Sequence, residues 1–214
     1  MEVNATQIDL YRLLAAALSY PNREGKERIA ALGQALEGRL GPLNGPVREL
    51  LSAPADEGVY LRLFESGVAA SPHETEYGVN RSTRKAVELA DIAGFYRAFG
   101  VETSQDMVDH VAAELDFLAF LGIKLLYAEL QGWQEQREVT EQAYRSFVED
   151  HAGRWLGAFA DQVQRVVPDS FYARAAALAH RVVELDVTRL GLSPARVERA
   201  AQPPGEVECG GCGV

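Results

Sequence analysis

The sequence predicts an all-α protein, a single-domain helical globule with an extended C-terminal tail. Apolar residues recur at intervals of three and four positions along almost the whole chain, which is the spacing of one face of an α-helix. No stretch shows the period-two alternation of a half-buried β-strand. No motif repeats at a fixed period of roughly 20 to 50 residues, which excludes helical solenoids.

The first half of the chain divides into helices separated by proline and glycine. The first helix begins after the N-cap residue Asn4 and ends before Pro21. A second amphipathic helix is predicted over 24–40. Short helices follow over 47–51 and 59–64, after a region rich in glycine and proline.

The second half begins with a loop and then returns to helical spacing. Gly100 and Gly191 each follow an apolar periodic segment and are typical of the residue just past a helix end. Pro168 suits the first turn of the last helix, and helical regularity weakens around Gly153. The predicted elements are a loop over 66–80 and helices over 82–99, 106–131, 135–150 and 168–190. Residues 1–191 are therefore expected to form the helical domain, and 192–214 a flexible tail.

Charge and composition exclude several classes of protein. The chain has 214 residues, 47% of them apolar, with 21 basic against 31 acidic residues and a net charge of −10. A chain of this length buries roughly 70% of the surface of its unfolded form, so it needs no disulfide or structural metal to fold. The negative charge disfavours nucleic acid as a partner. The chain lacks an apolar run long enough to span a bilayer, so we expect a cytoplasmic protein without stable membrane association.

Motifs of common enzymes are missing from the sequence. It contains no P-loop, no G-x-G-x-x-G opening a helix, no G-x-S-x-G and no H-E-x-x-H. None of the four histidines follows a glutamate at the three-residue spacing of ferritin-like di-iron sites. The sequence therefore favours a binding protein over an enzyme, with no catalytic residue and no cofactor.

One polar loop stands out as a candidate site. It concentrates carboxylates, an imidazole and a phenol where no regular element requires them, in Pro72, His73, Glu74, Glu76 and Tyr77. Loops that carry such groups are often functional. A solvated polar loop without a function is the alternative.

A second candidate is the start of the longest predicted helix. Asp106, Asp109, His110 and Glu114 follow one another at helical spacing and are expected to share a face beside the apolar run 115–121. The flanking carboxylates would favour the cationic form of His110. Such a patch suits a peptide with a basic head and an apolar body. The acidic residues could instead only complement the helix dipole.

The third candidate is the pair Cys209 and Cys212 near the C-terminus. The C-x-x-C spacing lets two thiolates hold one soft metal ion or form a disulfide, but a closed zinc site needs four ligands. A partner or a second copy could complete the site, or the thiols could be incidental. The rival to a binding protein is a metal carrier or metal-dependent enzyme that uses this pair with His73 and His110.

The remaining histidines and most aromatic residues are expected to be structural. His151 and His180 lie in apolar helical surroundings, which indicates partly buried histidines. The aromatic residues at helical spacing are core candidates: Phe64, Phe95, Tyr96, Phe99, Phe117, Trp155, Phe159, Phe171 and Tyr172.

Four sequence segments occur in an order that resembles a known family. They are Tyr60–Phe64, the Ser71–Tyr77 loop, Asp91–Gly100 and Asp109–Phe117, with His151, Trp155 and Phe159 after them. The set resembles the TorD/DmsD/NarJ family of redox-enzyme maturation chaperones over roughly residues 8–190. It looks most like the branch that serves type II enzymes of the dimethyl sulfoxide reductase family.

The resemblance implies a TorD-like cytoplasmic chaperone for the catalytic subunit of a molybdoenzyme. Such a chaperone binds the N-terminal region or twin-arginine leader of its client and assists insertion of the molybdopterin cofactor before export. The family's client-recognition positions fall here on Pro72, Glu74, Tyr77, Asp109 and His110. Relatives occur as monomers or dimers. A helical interaction module with an unrelated client is a further alternative.

The chemistry of neighbouring side chains extends the predicted client-binding set. His73, Glu76 and Glu114 join it because they carry polar or acidic groups beside the family positions. The sequence departs from many relatives at Val108, where they have proline. The cysteine pair is not a general family feature.

Overall fold

The computed structural model describes residues 4–65, 69–78, 81–103 and 107–197, and over these residues it contains helices and no β-strand. The predicted all-α fold is confirmed. The helices are α1 (Ala5–Ala17), α2 (Arg23–Leu36), α3 (Asn44–Leu51), α4 (Glu57–Tyr60), α5 (Arg81–Ala98), α6 (Val111–Gln131), α7 (Gln134–Phe147), α8 (Gly153–Val166) and α9 (Phe171–Leu190).

Helices α1 and α6 form the centre of the globule. They pack against each other, while α2 and α9 contact α1, and α7 contacts α6. Every residue from Leu13 to Leu18 is buried, so the end of α1 is enclosed on all sides. A helix that is apolar all round is stable only in such a position. Helix α8 packs on α9 and completes the layer around the pair.

Capping residues set most of the helix ends. The Asn4 side chain accepts a hydrogen bond from the Gln7 amide, and Gly191 follows α9 with a φ of +63°, both as the sequence predicts. The last helix begins at Phe171 rather than at Pro168, because the side chain of Ser170 caps it. Helix α2 ends at Leu36, four residues before its predicted end.

The predicted start of the longest helix is wrong. Helix α6 begins at Val111, and His110 is its N-cap residue, so Asp109 and His110 precede the helix. They therefore do not share a helix face with Glu114. Asp106 lies outside the described residues.

A wide turn replaces the end of the predicted helix over 135–150. Helix α7 ends at Phe147, and residues 148–152 form a π-type turn that leads directly into α8. Wide turns of this kind are frequent at functional sites. This one buries His151 and is followed by Trp155, which is also buried.

Residues 192–197 form a C-terminal strap that runs back along α8. The Val197 amide donates to the Arg154 carbonyl at 3.0 Å, and Arg196 contacts both carboxylate oxygens of Glu184, at 2.5 and 2.8 Å. Gly153 permits this approach, because a Cβ there would lie 2.8 Å from the Pro194 side chain. Val197 lies beside Gly78, because a Cβ placed on that glycine would be 3.5 Å from its side chain. The predicted domain boundary at residue 191 stays a prediction.

In the part of the chain that the structure describes, no helix combines the length and the apolar character that a bilayer crossing needs.

A buried carboxylate links three helices at one end of the globule. Asp186 of α9 accepts hydrogen bonds from the hydroxyl groups of Tyr11 and Tyr144, from the side-chain amide of Gln7 at 2.6 Å and from Arg189 at 2.8 Å. Both tyrosines and Asp186 are buried. The two buried hydroxyl groups therefore share this carboxylate as their acceptor, and the Gln7 side chain also lies 3.4 Å from the Tyr144 hydroxyl.

We expect Asp186→Ala to lower the free energy of unfolding by about 3 kcal/mol, because it removes the charged acceptor that two buried hydroxyl groups share. Urea unfolding followed by circular dichroism measures the change. Asp161→Ala removes an exposed carboxylate from α8 and is the matched control. Equal stability of the two variants would show that the cluster contributes nothing.

Candidate functional site

The site forms where residues 71–78, the site loop, lie against the chain that leads into α6. The Glu74 amide donates to the Asp109 carbonyl at 2.9 Å, and the Val111 amide donates to the Pro72 carbonyl at 2.8 Å. His73 and His110 face each other across this antiparallel bridge, with ring centroids 5.3 Å apart. The structure thus brings together the first two candidates that the sequence indicates.

The carboxylate of Asp109 fixes the site loop. One oxygen accepts from the Thr75 amide at 3.1 Å and from the Thr75 hydroxyl at 2.6 Å, and the other lies 2.9 Å from His73 Nδ1. Burial alone would raise the pKa of Asp109, but the hydrogen bonds from His73 and Thr75 outweigh it and lower the pKa to about 2. The side chain is therefore an ionised anchor at neutral pH.

His110 is held in its neutral form. Its Nδ1 accepts a hydrogen bond from the Ala112 amide at 3.1 Å, which requires an unprotonated nitrogen. Burial, followed by the nearby imidazole of His73, lowers the pKa of His110 to about 4, and Asp109 only partly offsets this. The expectation of a cationic His110 is wrong, because the residue lies in the interior at a helix N-terminus rather than on an exposed acidic face.

Two further carboxyl groups are buried beneath the loop. Glu114 accepts from the indole N–H of Trp155 at 2.9 Å, and Glu74 lies 3.1 Å from His151 Nδ1. Burial, and next the charge of Glu74, raise the pKa of Glu114 well above its usual range. The other oxygen of Glu114 has no hydrogen-bond partner among the described residues. These features favour a protonated Glu114.

Sequence reasoning missed the partners of these carboxyl groups. His151 is only 2% exposed, but it is a polar partner of Glu74 rather than a histidine in apolar surroundings. Its second ring nitrogen lies 3.5 Å from Asp91, and Arg154 lies 3.8 Å from Glu74. Because His151 and Glu74 are 77 positions apart, no local pattern could have linked them.

The predicted client-binding residues divide into a surface group and a buried group. The side chains of His73 and Glu76 are 32% and 35% exposed, and Glu76 forms an ion pair with Lys85 of α5. Tyr77 is buried against the Trp155 ring, and its hydroxyl donates to the Ser71 carbonyl at 2.8 Å. The buried group is Pro72, Glu74, Tyr77, Asp109, His110 and Glu114.

The predicted metal alternative gains no support from the described residues. They contain no group of three or more histidine, cysteine, aspartate or glutamate side chains that could hold a metal ion. The Nδ1 atoms of His73 and His110 are both engaged, with Asp109 and the Ala112 amide. Cys209 and Cys212 lie outside the described residues.

Relatives that match this chain along most of their length are named as chaperones of reductase assembly. The chain is 29% identical to the chlorate reductase assembly chaperone of Ideonella dechloratans, over 86% of this chain and 89% of the relative. It is 28% identical to the selenate reductase assembly chaperone of Thauera selenatis, over 85% and 88% of the two chains. It is also 28% identical to the perchlorate reductase assembly chaperone of Dechloromonas aromatica, over 82% and 85%. The fold and these relatives define the class of helical assembly chaperones, which confirms the predicted chaperone rather than an enzyme.

The family follows from a match over most of the folded chain. Residues 23–161 match the family described as the nitrate reductase delta subunit, and the chain belongs to that family. The predicted resemblance to redox-enzyme maturation chaperones is confirmed.

We expect the protein to lose stability in mild acid through His110. Its pKa in the folded state, about 4, lies below the ordinary value of 6.5, so the unfolded chain binds more protons between these values. The stabilisation is complete above pH 6.5 and is lost as the pH falls to about 4, a change of about 3 kcal/mol.

Urea unfolding at a series of pH values measures this loss. His110→Asn keeps an N-cap acceptor but does not titrate, so the variant should lack that component of the pH dependence. Glu114 and Asp109 are common to both proteins, and their contributions cancel in the comparison. Parallel curves for the two proteins would contradict a buried neutral His110.

Proposed function

We propose that the protein is a system-specific chaperone that binds the N-terminal region of a molybdoenzyme catalytic subunit while the molybdopterin cofactor is inserted. The observation that carries the proposal is the similarity to assembly chaperones of three reductases along more than four fifths of the chain. We propose that the client is a type II enzyme of the dimethyl sulfoxide reductase family. The three relatives are named as assembly chaperones of chlorate, selenate and perchlorate reductases.

The chemistry of the site loop supports recognition of a basic peptide. The loop presents the Glu76 carboxylate and the His73 imidazole at the surface of a chain with a net charge of −10. A guanidinium group binds a carboxylate through two parallel hydrogen bonds, which gives both affinity and orientation. A twin-arginine leader supplies two such groups next to an apolar segment.

The buried members of the predicted set act from beneath the loop. Asp109 holds Thr75 and His73 in place, and Glu114 holds Trp155 under Tyr77. In the described arrangement a bound peptide does not reach the carboxyl groups of Asp109, Glu74 and Glu114, which are 4%, 4% and 1% exposed. Their part in recognition is to set the position and charge of the exposed groups.

Other features of the proposal follow from the family resemblance. We propose that binding takes place in the cytoplasm, before export of the client, and that the chaperone acts without a cofactor of its own. We propose that the chaperone occurs as a monomer or a dimer, as its relatives do.

Co-purification from the native cell tests the function. A tagged copy is expressed under molybdenum-dependent respiration, and bound proteins are identified by mass spectrometry. We expect a molybdoenzyme catalytic subunit that retains its N-terminus and lacks the cofactor. Recovery of the chain alone, or of a client unrelated to molybdoenzymes, would overturn the proposal.

We expect Asp109→Asn to weaken binding of an arginine-pair peptide more than tenfold, because the loop loses its ionised anchor and the site loses a negative charge. The probe is a synthetic peptide with Arg-Arg ahead of an apolar run, and fluorescence anisotropy gives its Kd. Asp161→Asn on α8 removes the same charge at an exposed position and should leave the Kd unchanged.

Circular dichroism establishes that each variant is folded at the temperature of the assay. A second peptide, with Gln-Gln in place of Arg-Arg, tests the same interaction without altering the protein. It should bind the unmodified chain at least ten times more weakly. Equal binding of the two peptides would contradict recognition of the cationic pair.

A further inference from the structure

The carboxyl groups around the site loop differ in burial and in how firmly their hydrogen-bond or ion-pair partners hold them. Asp109, Glu74 and Glu114 are buried, and each accepts from or faces an internal partner that is itself buried or part-buried. Glu76 is different, because it lies at the surface and its oxygen is 2.7 Å from Lys85 Nζ. Exposed ion pairs of this kind form and break readily. Glu76 is therefore the acidic group of the loop whose contact with Lys85 can be exchanged.

Lys85 belongs to the loosely attached half of α5. None of the described side chains over 84–91 is buried, and the first buried one is Ile92. Beyond Ile92 the helix is anchored by Tyr96, whose ring packs on Phe117 with centroids 4.7 Å apart.

Polar contacts connect the described side chains of this half of α5 to the site. Lys85 lies 2.7 Å from Glu76, Asp91 lies 3.5 Å from His151 and Glu88 lies 3.9 Å from Arg154. Of these contacts, the Lys85–Glu76 pair lies at the surface, where a competing charge rearranges it easily. Because none of the described side chains over 84–91 is buried, Lys85 can leave Glu76 without disrupting the core.

We propose that Lys85 is an internal stand-in for the cation of the client: it occupies Glu76 in the free chain, and an arginine of the bound peptide displaces it. This inference rests on the proposed function and identifies Glu76 as the carboxylate that takes the peptide's guanidinium group. An arginine can contact both carboxylate oxygens at once, whereas the ammonium group of Lys85 acts as a point charge. The exchange therefore favours an arginine peptide over Lys85 and over a lysine peptide.

Affinity measurements on charge variants test the exchange. Lys85→Met keeps the length of the side chain and removes the competing charge, so the arginine-pair peptide should bind about two to five times more tightly. Lys85→Arg should bind it more weakly than the unmodified chain, because an internal arginine holds Glu76 more firmly. Arg97→Met, an exposed substitution in the anchored half of α5, makes the same change in net charge and should leave the Kd unaltered.

A double-variant cycle shows whether the effect passes through Glu76. In the Glu76→Gln background the peptide should bind more weakly, and Lys85→Met should then change the Kd by less than the gain seen with Glu76 present. All measurements use one ionic strength, since exposed pairs are screened by salt.

The outcomes separate this inference from the function on which it rests. If the arginine-pair peptide binds the unmodified chain but Lys85→Met does not tighten it, Lys85 is no stand-in. A gain that persists undiminished in the Glu76→Gln background likewise overturns the exchange at Glu76. If the peptide binds neither the unmodified chain nor Lys85→Met, the proposed leader recognition itself fails.

Discussion

The arrangement of the site depends on the hydrogen bonds that Asp109 receives from Thr75 and His73. They join the loop, in which Glu74–Glu76 form a single 3-10 turn, to the N-terminus of the central helix α6. Successive side chains of such a turn point about 120° apart, so with Glu74 and Thr75 turned to the interior Glu76 faces solvent. One buried carboxylate therefore decides which acidic side chain of the loop a partner can reach.

This arrangement requires several polar groups to be buried in the interior. An ionised group is costly to bury unless it is hydrogen-bonded, and a second carboxyl group beside it is best accommodated by keeping its proton. His151 and Trp155 supply the donors for Glu74 and Glu114. Asp186 and its two tyrosines form a comparable cluster elsewhere in the fold. Such networks favour one packing arrangement over others, because each alternative leaves a buried group without a partner.

The sequence was sufficient for the fold class, because helical spacing and cap residues such as Asn4 and Gly191 act locally. It failed at the start of α6, where acidic residues happened to continue the helical spacing and a histidine took the N-cap position usually held by serine, threonine, aspartate or asparagine. It could identify the acidic loop but not separate Glu74 from Glu76, because backbone pairing with a segment more than thirty residues away sets their directions. The role of His151 was out of reach for the same reason. The family resemblance came from ordered segments, each weak alone.

The C-terminal strap, residues 192–197, brings a part of the chain distant in sequence to the site loop. Its last residue, Val197, lies next to Gly78 at the edge of the site loop. A bulky fluorescent label attached at Val197 would therefore stand beside the loop and compete with a partner for that space.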